Sequence, residues 1–211
     1  MALRAAEADR EQAERVAVEA RLASLESHLE PHFLFNTLNS IVALAGKDPA
    51  RVERLAEDLA DLLRACLGAT RQHRVALSEE LELCAAYLEI ESARLGARLR
   101  HTLDVPAELG ACRVPALALL TLVQNAVRHA IAEREEGGAL AIEARREGAG
   151  LVLAVWDDGP AFSLAQSEVG HGLDNLRARL AAFYGAEGAL EVVAAEGGKR
   201  VVVRIPAGPA S

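Results

Sequence analysis

The spacing of apolar residues changes along the chain, and this change limits the possible folds more than any other feature. Up to about residue 94, apolar side chains recur at three- and four-residue steps, which is typical of amphipathic helices. From residue 99 onward, short runs rich in Val, Leu and Ile are bounded by glycine-rich turns. The sequence therefore predicts helices in its first part and a mixture of strands and helices in its second part.

Composition narrows the class of protein. The chain has 211 residues, which suits one large or two small domains with a buried core. Apolar residues make up 51% of it but aromatic residues only 3%, so Ala, Leu and Val must do the packing. This favours helices and helix–sheet layers over an all-β sandwich. The net charge of -8 argues against direct nucleic-acid binding and against polybasic attachment to a membrane.

Cysteine usage and hydropathy predict the compartment. Cys66, Cys84 and Cys112 are an odd number without close spacing, which indicates reduced thiols rather than disulfides or a zinc site. No apolar run is long enough to span a bilayer, and no signal peptide is visible. We therefore expect a cytoplasmic location.

The first part of the chain predicts a helical hairpin. Residues 2–29 lack glycine and proline and carry apolar residues at coiled-coil steps, although an ordinary amphipathic helix is the alternative. This helix should continue to about residue 45 with a kink at Pro31, which has no N–H to donate. Gly46 suits a helix end, Asp48 a cap and Pro49 the first position of a second helix over 50–68. Pairing of two such hairpins would bury more apolar surface, so a dimeric four-helix bundle is predicted.

The second part predicts an α+β two-layer sandwich. Ser78 should cap a helix that starts at residues 79–80 and ends near residue 94. The remaining predicted elements are strands at 99–105, 140–146, 151–156, 190–194 and 201–205 and helices at 115–132 and 173–184. The strands form hairpin-like pairs around turns at 148–150 and 197–198, and no alternating strand–helix–strand series is present. The tail after residue 207 should be disordered.

One histidine lies in an unusual setting. Residues 31–36 read Pro-His-Phe-Leu-Phe-Asn, with apolar residues at helical spacing around His32. A neutral imidazole can act as a nucleophile near neutral pH. The segment resembles the phosphoacceptor box of the LytS-type sensor histidine kinases, which implies that His32 is phosphorylated and that Asn36 belongs to its catalytic box. Glu30 is a candidate base for His32, with a solvated helix charge as the alternative.

Several short polar segments of the second part could form a nucleotide pocket. Thr121, Asn125 and His129 lie at four-residue intervals on a mostly apolar helix, with Arg128 beside them. An amide oxygen can contribute to Mg²⁺ binding together with phosphates, and an arginine can neutralise phosphate charge. A solvated helix face is the alternative.

Three later segments complete this set. A carboxylate at the end of a strand, as at Asp157, can accept a hydrogen bond from an exocyclic amine, and Gly159 permits a close backbone approach. Residues 170–176 read Gly-His-Gly-Leu-Asp-Asn-Leu and place glycines before a helix start, where bare N–H groups favour anions. Lys199 and Arg200 open the last strand, and charges on an edge strand would explain them.

In this order the segments resemble the conserved boxes of the GHKL ATPases, whose nucleotide-binding unit is the Bergerat two-layer sandwich. The resemblance implies Asn125 for Mg²⁺, Asp157 for the adenine amine, and Gly170 and Gly172 for the lid and the phosphates. The full set of candidate nucleotide-binding residues is Asn125, Arg128, His129, Asp157, Gly159, Gly170, His171, Gly172, Leu173 and Asn175. The cofactors implied are ATP and Mg²⁺.

The sequence departs from the family pattern at several places. Gln124, Ala130 and Ala161 replace a glutamate and two glycines, and Thr121 stands where the hydrolytic members have a glutamate. We therefore expect poor hydrolysis by water. The departures also motivate a second hypothesis, a nucleotide-binding interaction module without kinase activity. The histidine-bearing hairpin argues against a third, a serine kinase of the anti-sigma type.

The resemblance implies an ATP-dependent protein-histidine kinase of a two-component system. Autophosphorylation on His32 would be followed by transfer to an aspartate of a response regulator, which the family resemblance implies is of the LytTR type. The predicted parts are a dimerising phosphotransfer region over 1–76, a catalytic domain over 77–207 with a short lid at 162–169, and a tail over 208–211. The protein would act as a homodimer, and it would reach the inner membrane only through a missing N-terminal sensor portion.

Overall fold

The structure is a computed structural model that describes residues 31–68, 72–160 and 171–206, with the backbone alone at residue 171. Within these ranges the α-helices are α1 Pro31–Leu44, α2 Pro49–Gly68, α3 Leu77–Leu95, α4 Ala118–Ala126 and α5 His171–Tyr184. The strands in the same ranges are β1 Arg74–Ala76, β2 Leu99–Asp104, β3 Arg113–Pro115, β4 Gly138–Glu147, β5 Gly150–Asp157, β6 Ala189–Ala195 and β7 Gly198–Pro206. Helix α4 continues as a π-helical turn, Val127–Ala132.

Some predictions concern segments outside the described residues. They are the coiled coil over 2–29, the kink before Pro31, the base Glu30, the substitution Ala161, the lid over 162–169, the glycine Gly170 and the disordered tail. The division of the chain at residues 76 and 77 also stays a prediction.

The main sheet has five strands in the order β2-β4-β5-β7-β6. All neighbouring strands are antiparallel except β2 and β4, which are parallel. The predicted hairpin turns at 148–150 and 197–198 join β4 to β5 and β6 to β7. The prediction of an α+β fold is therefore confirmed. A separate two-stranded sheet of β1 and β3 was not predicted, because three residues are too short to show alternation.

One face of the main sheet packs against α4 and α5, and the other is lined by small apolar residues and ion pairs. The helical face contributes Leu151, Leu153, Val155, Val201 and Val203 to the main core. The opposite face holds a small buried cluster of Val152, Ala154 and Val202. Beside this cluster Arg200 donates to Glu143 at 3.0 Å, so charged side chains flank the apolar atoms.

The first two helices form the predicted hairpin. Helix α1 ends at Leu44 and α2 begins at Pro49, and the Asp48 carboxylate accepts a hydrogen bond from the N–H of Arg51 at 3.0 Å. The predicted cap is therefore confirmed. Within this chain the hairpin packs against α3, where the rings of Phe33 and Tyr87 lie 5.1 Å apart. The buried stripe of α2 consists of Leu55, Leu59, Leu62 and Cys66.

Helix α3 begins at Leu77, so the prediction that Ser78 caps it is wrong. The N–H groups of Leu77 and Ser78 instead donate to the carbonyls of Cys112 and Gly110 at 2.9 and 3.0 Å. These bonds satisfy the amides that a capping side chain would otherwise serve. The contact lies more than thirty residues away along the chain, so local sequence could not reveal it.

The structure also bears on the predictions about the cysteines and about membrane-spanning segments. Cys66, Cys84 and Cys112 form no disulfide among the described residues, and all three are buried. Burial raises the pKa of Cys66 to about 12 and that of Cys84 well above its ordinary value. Within the described ranges, no helix combines the length and the apolar character needed to cross a membrane.

Candidate functional site

Asp157 lies at the last position of β5 and faces the helical layer. Its side chain is fully buried, and the strand register places it opposite Lys199 on β7. Lys199 Nζ lies 2.6 Å from Asp157 Oδ1, and the N–H of Gly159 donates to the same oxygen at 3.0 Å. Asp157 Oδ2 has no hydrogen-bond partner among the described residues. One carboxylate oxygen is thus held by the protein and the other is left for a ligand.

The environment of Asp157 pulls its pKa in two directions. Burial raises the pKa of Asp157 above its ordinary value, whereas the hydrogen bond and positive charge of Lys199 oppose this shift. Asp158 adds a smaller upward contribution. Lys199 is therefore the nearest group that favours the ionised form of Asp157.

The interpretation of Lys199 as an edge-strand charge is wrong. Strand β7 lies between β5 and β6, and the Lys199 side chain is only 1% exposed. Arg200 points to the other face of the sheet and pairs with Glu143. A lysine next to an arginine looks like solvated charge in a sequence, and only the register shows that one of the two is buried.

The packing of the protein itself leaves no room for a side chain at Gly159. A Cβ at this position would lie 2.6 Å from Ala130 Cβ and 2.8 Å from Asp157 Oδ1. The methyl group of Ala130, one of the departures from the family pattern, therefore occupies the space beside Gly159. The loop after β5 and the π-helical turn that follows α4 meet at this contact.

Asn125 lies near the end of α4 and is 8% exposed. Its Nδ2 atom is buried and has no partner in the described part of the chain. The hydroxyl of Thr121, one turn earlier, donates to the carbonyl of Leu117 at 2.6 Å. Asn125 is therefore the member of the predicted polar stripe whose amide is left for a ligand.

The π-helical turn changes the predicted stripe after Asn125. Arg128 is exposed, and His129 Nδ1 lies 3.6 Å from Glu133 Oε1. A π turn inserts an extra residue into the helical repeat, and such turns are frequent at functional sites. The helix predicted over 115–132 starts later than expected, at Ala118, and its last six residues form the π-helical turn Val127–Ala132.

Glu80 on α3 holds the start of α4. Its carboxylate accepts hydrogen bonds from the N–H groups of Leu117, Leu119 and Leu120, the last two at 3.0 and 3.3 Å. Leu117 has a left-handed φ of 60°, so the chain turns sharply there. Sequence reasoning missed Glu80, because these partners lie 37 to 40 residues along the chain.

Arg134 links the π-helical turn to the loop after β5, and sequence reasoning missed this residue as well. Its guanidinium contacts Asp158 Oδ1 at 2.8 Å and donates to the carbonyl of Ala130 at 3.1 Å. These bonds connect the end of the π turn to the residue that follows Asp157. No local pattern marks this arginine.

The start of α5 approaches α4 through a glycine. A Cβ at Gly172 would lie 3.4 Å from Thr121 Cγ2, an ordinary contact distance. Leu173 is 2% exposed and belongs to the core, whereas Asn175 is exposed. The structure therefore brings Gly172 next to the helix that carries Asn125, with Leu173 as its apolar anchor.

His32 lies in the first turn of α1 and is exposed. Asn36 Nδ2 lies 3.2 Å from both ring nitrogens, so it can donate to whichever nitrogen carries the lone pair. Phe33 is buried against Tyr87, which anchors this turn beside an accessible imidazole. His32 and Asn36 lie on the hairpin, whereas Asn125, Asp157 and Gly172 lie around α4 and the sheet.

Asn125 and Asp157 each have a buried polar atom that a nucleotide could satisfy. In the described ranges, four buried side-chain polar atoms lack a hydrogen-bond partner: Arg98 Nε, Asn125 Nδ2, Asp157 Oδ2 and Tyr184 Oη. Two of these four belong to predicted nucleotide-binding residues. Unsatisfied buried polar atoms are costly, and a bound ligand is one common explanation for them. No group of three or more His, Cys, Asp or Glu residues suited to a metal ion occurs in the described ranges.

Comparison with known proteins finds similarity to histidine kinases. Residues 20–99 match the family model described as histidine kinase. The sensor protein LytS of Enterococcus faecalis is 33% identical over 201 residues, which cover 89% of this chain and 34% of that protein. The sensor histidine kinase BtsS of Escherichia coli K12 is 32% identical over 189 residues, with the same coverage of 89% and 34%. The chain thus spans about a third of the length of the curated relatives that it matches.

Solved structures agree on the fold. The catalytic domain of histidine kinase ThkA matches with a TM-score of 0.51 at 20% identity. The match covers 64% of this chain and 94% of the ThkA chain. The histidine kinase AdeS of Acinetobacter baumannii also matches with a TM-score of 0.51, at 17% identity. This match covers 92% of this chain and 96% of the AdeS chain. The sequence matches, which cover 89% of this chain, show that it resembles the LytS-type sensor histidine kinases.

Proposed function

We propose that this chain is the catalytic part of a sensor histidine kinase in a two-component system. His32 would accept a phosphoryl group from ATP and pass it to an aspartate of a response regulator, which we take to be of the LytTR type. The observation that carries the nucleotide-binding part is the pair of buried atoms without partners in the described residues, Asn125 Nδ2 and Asp157 Oδ2. Both belong to residues that the sequence independently assigns to ATP.

The proposed nucleotide site follows from these contacts. Asp157 Oδ2 would accept a hydrogen bond from the exocyclic amine of adenine while Oδ1 stays with Lys199. Asn125 would help to hold Mg²⁺ through its amide oxygen, and its Nδ2 would donate to a phosphate oxygen; the cation would neutralise phosphate charge. Arg128, His129, Gly159 and the residues around the start of α5 are the remaining proposed contacts: Gly170, His171, Gly172, Leu173 and Asn175.

The proposed reaction uses the exposed imidazole of His32. Its unprotonated ring nitrogen would release Asn36 and attack the γ-phosphorus in line. A nitrogen–phosphorus bond forms as the bond to the bridging oxygen breaks, ADP leaves, and the ring gives its extra proton to solvent. Asn36 acts as a positioning residue that orients the ring beforehand. A role for Glu30 as the base stays a prediction.

The proposal extends to the organisation of the whole protein. We assign residues 1–76 to dimerisation and phosphotransfer, 77–207 to the catalytic domain and 208–211 to a tail. The active form would be a homodimer, and the complete protein would be a sensor of the inner membrane whose catalytic part lies in the cytoplasm.

Labelling with ATP that carries a radioactive γ-phosphate tests the proposal. With Mg²⁺ present, the wild-type chain should acquire acid-labile, base-stable label, and His32→Gln should acquire none because its side chain has no nucleophilic nitrogen. Binding of ATP by calorimetry should be the same in both proteins. His101→Gln is the matched control, since this histidine is exposed on β2 and has no proposed role. Label that persists in His32→Gln would refute the assignment.

A further inference from the structure

We infer that Lys199 is a positioning residue that fixes the acceptor face of Asp157 and thereby sets a preference for adenine over guanine nucleotides. This inference rests on the proposed nucleotide-binding function. It assigns to the last strand a role in base selection that a lysine in a glycine-rich turn does not suggest by itself.

The geometry makes the two oxygens of Asp157 unequal. Asp157 and Lys199 are register partners on β5 and β7, and their side chains are 0% and 1% exposed. Oδ1 accepts from both Lys199 Nζ at 2.6 Å and the Gly159 N–H at 3.0 Å. Oδ2 is the oxygen without a partner in the described residues. Lys199 and Gly159 together hold the orientation of the carboxylate, so one oxygen stays directed away from both donors.

A buried ion pair of this kind is better explained by specificity than by stability. Removing two charges from water costs free energy that their mutual attraction often only offsets, so such pairs are weak contributors to stability. The pair also leaves Oδ2 unsatisfied, which adds a further cost in the free protein. A ligand amine directed at Oδ2 would remove that cost.

The charge of Asp157 decides which base can bind. An ionised carboxylate only accepts hydrogen bonds, so Oδ2 suits the amino group at position 6 of adenine. Guanine has a carbonyl at that position, and its oxygen would face Oδ2 without a proton between them. If Asp157 were protonated, Oδ2 could donate a hydrogen bond to the carbonyl oxygen of guanine, and guanine could bind. The cation of Lys199 therefore protects the preference for adenine by keeping Asp157 ionised.

The surrounding charges allow the direction of the pH effect to be stated. Lys199 and the N–H of Gly159 lower the pKa of Asp157, whereas burial and the neighbouring Asp158 raise it. Asp158 is itself paired with Arg134 at 2.8 Å. Burial already keeps the pKa of Asp157 above its ordinary value in the wild type, and loss of Lys199 would raise this pKa further, so Asp157 would become protonated at a higher pH than in the wild type. The preference for adenine should then be lost as the pH falls through this raised pKa and should return above it.

The experiment measures binding of the β,γ-imido analogues of ATP and GTP by calorimetry across a series of pH values. In Lys199→Met the ratio of ATP to GTP affinity should begin to fall at a higher pH than in the wild type, by up to about tenfold per pH unit. Lys199→Gln is the second variant, because its amide still donates toward Oδ1 but carries no charge. Arg200→Met is the matched control: it removes a cation from the adjacent residue, on the other face of the sheet.

The outcomes separate this inference from the proposed function. If the wild type binds neither analogue, or if Asp157→Asn binds the ATP analogue as tightly as the wild type, the proposed nucleotide site fails. If the wild type binds the ATP analogue and both Lys199 variants have the wild-type ratio of ATP to GTP affinity at every pH, the proposed role of Lys199 is overturned. Loss of folded protein in both variants, judged by circular dichroism, would assign the pair to stability and overturn it as well.

Discussion

Glu80 illustrates how one buried side chain joins two helices that are distant in sequence. It lies on α3, is fully buried, and accepts hydrogen bonds from three N–H groups at the start of α4. Burial raises the pKa of Glu80 to about 7, although these N–H groups and the nearby Arg179 oppose the shift. The position of the helix that carries Asn125 therefore depends on a carboxyl group that titrates near neutral pH.

We expect Glu80 to make stability depend on pH. Its pKa rises from an ordinary value of 4.5 to about 7 on folding, so its contribution is complete below pH 4.5 and is lost as the pH rises through 7. At about 1.4 kcal/mol per pH unit, the loss in free energy of unfolding is about 3 kcal/mol. Glu80→Gln does not titrate and should lack this dependence in urea unfolding at a series of pH values.

Glu82→Gln is the control for Glu80, since Glu82 is exposed on the same helix. It should retain the wild-type dependence of stability on pH. The same slope in wild type and Glu80→Gln would show that Glu80 does not titrate in this range.

At the scale of elements, the contact between the loop after β5 and the π-helical turn organises the site. Gly159 and Ala130 meet so closely that a second methyl group would overlap the first. Arg134 reinforces the contact through Asp158 and the carbonyl of Ala130. A departure of Ala130 from the family pattern is thus accommodated by a glycine on the facing element.

A double-mutant cycle tests this contact. Gly159→Ala should lower the free energy of unfolding by about 1–3 kcal/mol, because the new Cβ would lie 2.6 Å from Ala130 Cβ. Ala130→Gly in the same chain should recover part of the loss, because the facing methyl group is removed. Both are measured by denaturant unfolding. Gly46→Ala is the control, since a Cβ there would meet nothing within 4 Å, and equal losses with and without Ala130→Gly would contradict the argument.

At the scale of the whole molecule, α3 connects the hairpin to the sheet. Its Tyr87 packs on Phe33 of the hairpin, and its Glu80 bonds the start of α4. The hairpin buries the α2 stripe inside one chain, but α1 keeps a second apolar stripe exposed. Phe35, Leu38 and Val42 of this stripe are 67%, 51% and 75% exposed and lie at helical spacing. This stripe supports the proposal that a second copy packs against α1.

Dimerisation should depend on the exposed stripe of α1. Val42→Glu places a charge in the proposed interface, where its desolvation is unfavourable, and should shift the protein from dimer toward monomer. Size-exclusion chromatography with light scattering measures the change, and circular dichroism checks the fold. Val193→Glu on β6 is the control, because Val193 is also exposed but lies on the sheet. A wild-type chain that is monomeric at every concentration would contradict the homodimer.

The sequence by itself determined the local elements and the chemistry of the candidate residues. Periodicity located the hairpin and the strands of the main sheet with their turns, because these depend on residues close together in the chain. Short motifs that resemble those of known families supplied the expected roles of His32, Asn125 and Asp157. The tertiary structure decided which polar side chains share a partner. Glu80, Arg134 and Lys199 have partners 24 to 42 residues away, and no local spacing encodes such contacts.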